Sequence, residues 1–314
     1  MKVTIRNLVP GVILAAALLP SPVLGHSSAS KKTNKSYRNI NAIGHREVGC
    51  AKGMGNWYSN EQERSFGARL SASLEQSTAL LRDPATTAYL DHLTQMIASN
   101  SDTQFPITIR VIESPDAYAL TLPGGYQYIT HGLLLQLQTE GELAAALARG
   151  IAHTSLCTEA RLQTRASLAH MMTIPLILGG DPSAHSASDS GFAVPLTLLK
   201  FGREVELQAD YFGIQYLYKS GYDPQCFVQF VQTAWRQPPP GKPVAAAFSP
   251  FPLLVERLKG LENEINDILP KRDGAVRNTP EFVSFREHLL TLSPPKPEPP
   301  KVPTLHWPDE QSSR

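Results

Sequence analysis

The sequence predicts an α+β domain that is mostly helical and contains a small sheet. Apolar residues recur at helical spacing from Asn60 to Leu80 and again in several later stretches. Between them, Phe105 to Ile112 alternates apolar and polar residues, as half-buried strands do, and two shorter strand-like stretches follow. A chain of 314 residues with 42% hydrophobic content is long enough to bury a substantial core in one or two domains.

The first 25 residues have the pattern of an export signal. Two basic residues precede an apolar run from Leu8 to Leu19, and Val23-Leu24-Gly25 forms a small-residue cleavage site. A membrane anchor is the weaker alternative, because the run is shorter than the roughly 20 residues that span a bilayer and Pro20 interrupts it. We therefore expect residues 1–25 to be a signal peptide and the protein to be periplasmic or secreted.

The rest of the chain divides into three parts by composition. Residues 26–56 are polar, rich in Ser, Lys and Asn, and are expected to form a flexible leader. Residues 57–292 carry the periodic apolar pattern and are expected to form the folded domain. Residues 293–314 contain closely spaced prolines, which favour a disordered or polyproline II tail.

Short sequence signals set the borders of the elements in the first half of the domain. Asn60 is expected to cap the first helix, and Asp83-Pro84 opens the second. Pro123-Gly124-Gly125 supplies a turn between two strands. The expected strands are Phe105–Ile112, Ala117–Leu122 and Tyr126–Thr130.

The second half of the domain is expected to be helical. Thr139, followed three residues later by Glu142, matches a capping box and opens a long helix. Gly179 to Gly191 is rich in Gly, Ser and Asp and is expected to be a long loop. The other expected helices are Gly132–Gln138, Glu159–Ile177, Leu196–Lys219, Gly221–Trp235, Leu253–Ile268 and Glu281–Leu292.

The helix after Thr139 carries Leu147-Ala148-Arg149-Gly150-Ile151-Ala152-His153, which contains part of a zinc-binding motif. Two histidines four residues apart on a helix bind one zinc ion, and a glutamate beside the first activates the bound water. Here Arg149 and His153 have that spacing, and Gly150 stands in the glutamate position. A guanidinium keeps its proton and offers no lone pair, so Arg149 is excluded as a ligand.

Further stretches resemble metallopeptidase family 48. The segments Ser114 to Leu120 and Leu122 to Leu134 resemble the family's strand, Gly-Gly turn and helix, and Glu206-Leu207-Gln208-Ala209-Asp210 matches its Glu-x-x-Ala-Asp element. That family includes HtpX-like membrane proteases, CAAX prenyl proteases and exported BepA-like periplasmic proteases with chaperone behaviour. The resemblance covers Trp57 to Ile268 and implies a zincin-like (gluzincin) peptidase domain.

The resemblance implies roles for the residues that match the family. His153 corresponds to the second zinc ligand, Glu206 to the third, and Asp210 to the residue that supports the ligands. Arg257 stands where the family has an arginine.

Three other positions depart from the family pattern and leave no intact catalytic set. Arg149 replaces the first zinc ligand, Gly150 replaces the general base, and Phe251 stands where a histidine is usual. If the helices pack as in the family, Arg149 approaches Glu206, and we expect an ion pair that substitutes for the charge of the metal.

The cysteines leave two alternatives open. Cys50, Cys157 and Cys226 form either one disulfide and one free thiol, or three unpaired thiols, and their spacing does not select a pair. Cys157 lies one turn beyond His153, so His153, Cys157 and Glu206 are a minor candidate for a zinc site on a shifted centre.

Three functional hypotheses follow. The first is an exported, catalytically inactive relative with no cofactor, which binds extended polypeptide or an envelope partner by pairing with an edge strand at Asp116, Ala117 and Tyr118. The second is an active zinc-dependent metalloendopeptidase with altered ligands. The third is an envelope-interaction protein whose proline-rich tail makes the contact.

Two classes of partner are disfavoured by the sequence. The formal charge of +1 and the scattered basic residues do not form the basic patch of a nucleic-acid-binding protein. Beyond the first 25 residues no run is long and apolar enough to span a bilayer, although Ser167 to Leu178 is apolar enough to touch a membrane surface or a partner.

Overall fold

The computed structural model describes residues 37–178, 196–235 and 252–292. Of residues 169–178, 196–199 and 235 it describes the backbone only. The expected signal peptide, the loop at 179–191, Phe251 and the proline-rich tail lie outside the described residues.

The described part is mostly helical with a small sheet, as the sequence predicts. Its helices and strands, in chain order, are α1 (Asn60–Ser77), α2 (Pro84–Ala98), β1 (Thr108–Ile112), β2 (Ala119–Leu122), β3 (Tyr126–Thr130), α3 (His131–Gln136), α4 (Glu140–Ser155), α5 (Thr158–Leu178), α6 (Leu196–Lys219), α7 (Gln225–Trp235), α8 (Leu254–Asp267) and α9 (Pro280–Thr291). Within these residues no helix is both long and apolar enough to cross a membrane.

Local capping explains where the first helices begin. The cap of α1 is Ser59 rather than Asn60, because Ser59 Oγ accepts from the backbone N–H of Gln62 and the Gln62 side chain accepts from the backbone N–H of Ser59. Asp83 caps α2 as expected, accepting from the backbone N–H of Thr86 at 2.7 Å.

The described strands form one sheet in the order β1-β3-β2. β1 runs parallel to β3, with Thr108 opposite Tyr126, whereas β2 runs antiparallel to β3, with Leu122 opposite Tyr126. β2 is therefore an edge strand of this sheet.

The turn between β2 and β3 packs directly against the backbone of α1. Gly124 has a φ of +72°, a conformation that favours glycine, and a Cβ there would lie 2.5 Å from the Cα of Arg64. On the helix side, a Cβ at Gly67 would lie 1.8 Å from the carbonyl oxygen of Pro123. These glycines place the first turn of α1 beside the end of β2.

Helix α4 lies at the centre of the core and packs against α2, α6 and α7. Its residues from Leu143 to Ala148 are buried, as are Ile151 and Ala152. Thr139 caps it, accepting from the backbone N–H of Glu142 at 3.2 Å. The helix that carries the motif is thus held rigidly on several sides.

Residues 37–56, part of the stretch expected to form a flexible leader, are anchored to the folded domain through Arg46. Arg46 is buried and donates to Asp102 Oδ2 from Nε at 2.9 Å and from Nη2 at 2.6 Å, and to Gln215 Oε1 at 2.7 Å. The polar composition of residues 37–56 predicts a solvated segment, but the Arg46 side chain is buried and bonded to partners far away in the chain.

A disulfide joins Cys50 to Cys157, and Cys226 is a buried free thiol. This settles the two alternatives for the cysteines and corrects the suggestion that Cys157 substitutes for a zinc ligand, because its sulfur is bonded to Cys50. The disulfide links the segment before α1 to the turn between α4 and α5.

Reducing this disulfide is expected to lower the free energy of unfolding by about 2–4 kcal/mol, since it closes a long loop in the unfolded chain. Urea unfolding with and without reductant measures this. After denaturation, a thiol reagent should label one cysteine of the unreduced protein and three cysteines of the reduced protein. In the Cys226→Ala variant it should label no cysteine before reduction. Three reactive thiols without reductant would contradict the bond.

Gly67→Ala is expected to cost more than about 2 kcal/mol of stability, because the added methyl meets the Pro123 carbonyl on rigid backbone. The matched control is Gly260→Ala on α8, where the Cβ has open space and the helix should gain up to about 1 kcal/mol. Thermal denaturation of both variants compares them. Equal stability of the two variants would mean that α1 does not pack on the turn as described.

Candidate functional site

The candidate site is a cavity of about 610 Å³ beside the edge strand β2. Helices α4 and α6 and the start of α5 form much of its remaining wall, and residues of α1, α7, β1, β3 and the turn after β2 complete it. The sequence-predicted residues Arg149, Gly150, His153 and Glu206 all line it.

Arg149 contacts both acidic residues of α6. Its Nη2 donates to Glu206 Oε2, and its Nε donates to Asp210 Oδ1 at 3.2 Å. Arg257 of α8 holds Asp210 from the other side, through Nε to Oδ2 at 2.6 Å and Nη2 to Oδ1 at 2.7 Å. Two guanidinium groups and two carboxylates therefore form one continuous cluster that joins α4, α6 and α8.

The cluster is largely shielded from water. The side chains of Arg149 and Glu206 are 22% and 18% exposed, and that of Asp210 is 4% exposed. Burial acts to raise the pKa of Glu206, but the neighbouring positive charges, that of Arg149 first, outweigh it and hold that pKa below its usual value. Glu206 is thus ionised at neutral pH.

His153 lies next to this cluster but does not pair with it at neutral pH. Its Nε2 is 4.0 Å from Glu206 Oε1, and its Nδ1 is 3.3 Å from Thr158 Oγ1. Burial, and then the charge of Arg149, lower the pKa of His153 to about 4. The imidazole is therefore neutral at pH 7.

Side chains from the sheet occupy the space beside Gly150. A Cβ at this position would lie 2.8 Å from Gln127 Oε1 and 3.0 Å from Thr121 Oγ1. Gln127 is 3% exposed, and its Nε2 has no hydrogen-bond partner among the described residues. A glutamate in place of Gly150 would require the Gln127 side chain to move.

The donor set at this position does not fit a zinc ion. A zinc site needs three protein ligands. Beside His153 and Glu206, the third ligand position is filled by the guanidinium of Arg149, which has no lone pair to donate. Cys157 is excluded by its disulfide. Over the ranges that the structure describes, no group of three His, Cys, Asp or Glu side chains is placed to hold a metal.

The predicted edge segment is displaced in the structure. Asp116, Ala117 and Tyr118 precede β2, which begins at Ala119. The carbonyl oxygen of Tyr118 accepts from the backbone N–H of Thr130 at 3.0 Å, and the backbone N–H of Tyr118 donates to Thr130 Oγ1 at 3.0 Å. Because these bonds turn Tyr118 towards β3, the edge that lies open starts one residue later.

Sequence reasoning missed Gln127, Thr121 and Glu63, which also line the cavity. Gln127 is a polar residue at a buried position of β3. A polar side chain inside a predicted buried strand is a sign of a special role that can be found in the sequence. Glu63 reads only as an acidic residue in the first turn of a helix, so nothing local distinguishes it from a solvated charge.

Replacing Arg149 with methionine is expected to lower the free energy of unfolding by about 2–3 kcal/mol, because it leaves Glu206 ionised and shielded without its partner. Combining it with Glu206→Gln should restore at least about 1 kcal/mol of that loss. Urea denaturation of the single and double variants measures the coupling, with and without added zinc, which should change neither value.

The matched control is Arg277→Met, which breaks an ion pair with Asp223 whose arginine is 48% exposed. Its cost should stay below about 1 kcal/mol. Strictly additive effects of the Arg149 and Glu206 substitutions would contradict the ion pair.

Comparison with known proteins agrees with this architecture. The model of peptidase family M48 matches residues 84–265. A Vibrio cholerae protein of the beta-barrel assembly-enhancing protease type is 30% identical over 54% of this chain and 37% of its own length. The beta-barrel assembly-enhancing protease of Escherichia coli is 26% identical over 74% of this chain and 49% of its own.

A eukaryotic relative matches as well. The mitochondrial metalloendopeptidase OMA1 of Schizosaccharomyces pombe is 28% identical over 64% of this chain and 60% of its own length. The chain spans about half the length of the curated bacterial relatives, or less. Because the family model covers more than half of the chain, the chain belongs to peptidase family M48.

Proposed function

We propose that this chain is a catalytically inactive member of family M48 that binds extended polypeptide, or an envelope protein in an extended conformation, along β2. In this proposal residues 1–25 export it to the periplasm or out of the cell, and it acts as a chaperone or scaffold. The observation that carries the proposal is the open edge of β2 beside the cavity.

The hydrogen-bonding pattern of β2 supports polypeptide binding. Because Tyr118 bonds to Thr130, the alternation of an antiparallel ladder turns the N–H and C=O groups of Ala119 and Thr121 away from β3. No described strand occupies that side. An extended segment would satisfy these groups and direct alternate side chains into the cavity, whose walls include Leu120, Leu122 and other apolar side chains.

The chemistry of the site supports the loss of catalysis. Gly150 offers no carboxylate, and loss of a positioned general base typically removes a factor of about 100 to 10,000 in rate. The guanidinium of Arg149 carries a fixed positive charge, but unlike a metal ion it is not a Lewis acid that can bind and activate a water molecule. The cluster keeps the helices together, which fits a binding role on an inherited scaffold.

The names of the relatives support the partner class. Those named as beta-barrel assembly-enhancing proteases suggest envelope proteins rich in strand-forming segments. Such segments are extended before they assemble and fit edge-strand pairing. As part of the proposal, we infer that the partners of this chain belong to the same class of envelope proteins.

Ala119→Pro is expected to weaken binding of fluorescein-labelled β-casein, an unfolded polypeptide, by at least about fivefold, because it deletes one outward donor of β2. Proline is tolerated at the first residue of an edge strand, so the fold should survive. Fluorescence anisotropy measures the affinity. Ala119→Val, which keeps the donor, is the matched control, and equal affinities of the two variants would contradict binding along β2.

The active-metallopeptidase alternative is tested on the same preparation. The purified chain should leave β-casein intact, with and without a chelator, and should contain far less than one zinc per chain by elemental analysis. Stoichiometric zinc together with cleavage that a chelator abolishes would overturn the inactive assignment and leave polypeptide binding in place.

A further inference from the structure

A second cavity of about 520 Å³ lies next to the first, beyond the end of β2. Three residues line both cavities: Glu63 of α1, Pro123 of the turn and Glu159 of α5. We call this place the junction. A polypeptide that runs along β2 and past Pro123 reaches it, because β2 ends at Leu122.

The position of Glu63 at the junction is fixed by backbone packing. The close contacts of Gly67 with Pro123 and of Gly124 with Arg64 lock the first turns of α1 onto the turn. Glu63 is 4% exposed and lines both cavities, and the nearby backbone N–H of Gly124 acts to lower its pKa. Its carboxylate is therefore a built part of the cavity wall.

The junction holds two carboxyl groups without a matching cation. None of the ion pairs among the described residues involves Glu63 or Glu159. Burial, together with the charge of Glu159, raises the pKa of Glu63 to about 7 although the Gly124 hydrogen bond opposes it. Two cations that line the cavities are engaged elsewhere: Arg149 contacts Glu206, and Arg69 donates to Ser65 at 2.9 Å and lies over Phe66.

An independent feature of the first cavity points to a polypeptide. Gln127 lines it and is buried, yet its Nε2 lacks a hydrogen-bond partner within the described part of the chain. A buried amide donor of this kind is costly unless an acceptor is supplied. The carbonyl oxygens of a bound main chain are such acceptors.

We propose that the junction is a subsite for a lysine or arginine side chain of the polypeptide bound along β2. The inference rests on the proposed function and adds a preference to it. The aliphatic stem of the basic side chain packs against Pro123, and its charged group lies between the carboxylates of Glu63 and Glu159. The incoming cation compensates the burial of Glu63, which no described residue does.

The test uses fluorescein-labelled ten-residue peptides of alternating valine and threonine, with a single lysine moved through successive positions. The matched peptides carry norleucine, which has a similar shape and no charge, at the same positions. In fluorescence anisotropy, lysine at one position is expected to bind the full chain at least about fivefold tighter than norleucine.

Variants assign the preference to the junction. In Glu63→Gln/Glu159→Gln the lysine preference, measured as the ratio of the lysine-peptide to the norleucine-peptide affinity, should fall below about twofold. Glu61→Gln is the matched control, because Glu61 is exposed on the same first turn of α1 and lines only the second cavity. It should keep the preference.

The outcomes separate this inference from the proposed function. If no peptide binds, binding along β2 fails and the subsite with it. If all peptides bind equally well, or if the double variant keeps the lysine preference with native circular dichroism and melting temperature, the subsite is wrong while polypeptide binding stands.

Discussion

The contact on which the site depends is the guanidinium of Arg149 between the two acidic residues of α6. It joins the central helix α4 to α6, and Arg257 extends the same cluster to α8 through Asp210. Burying charged groups is costly, and the cost is offset here because each carboxylate is paired and hydrogen-bonded. Such a cluster does the mechanical part of what a metal ion does, which is to hold acidic side chains of separate helices together.

Gly150 adds a second constraint, which acts through its missing side chain. Gln127 and Thr121 approach the helix so closely that any side chain at this position must displace them. The sheet and α4 are therefore in contact where an enzyme of this fold keeps its general base and water. The cavity that remains lies along β2, as the proposed binding of an extended main chain requires.

The sequence predicted features that depend on local spacing and could not predict those that depend on distant partners. The cap at Thr139 and the meeting of Arg149 with Glu206 follow from helical periodicity and the family pattern. The pairing of Cys50 with Cys157 joins residues 107 positions apart, and the buried contact of Arg46 with Asp102 gives no local signal. Likewise the start of β2 is set by Thr130, a residue of the neighbouring strand.

The charges of the cluster also decide the electrostatic character of the cavity. Arg149 and Arg257 balance Glu206 and Asp210, and His153 is neutral, so this cluster contributes no net charge at neutral pH. The charge that remains on the cavity walls belongs to the junction, where carboxylates face both cavities. In the proposed subsite, these carboxyl groups give that end of the groove a preference for basic ligands.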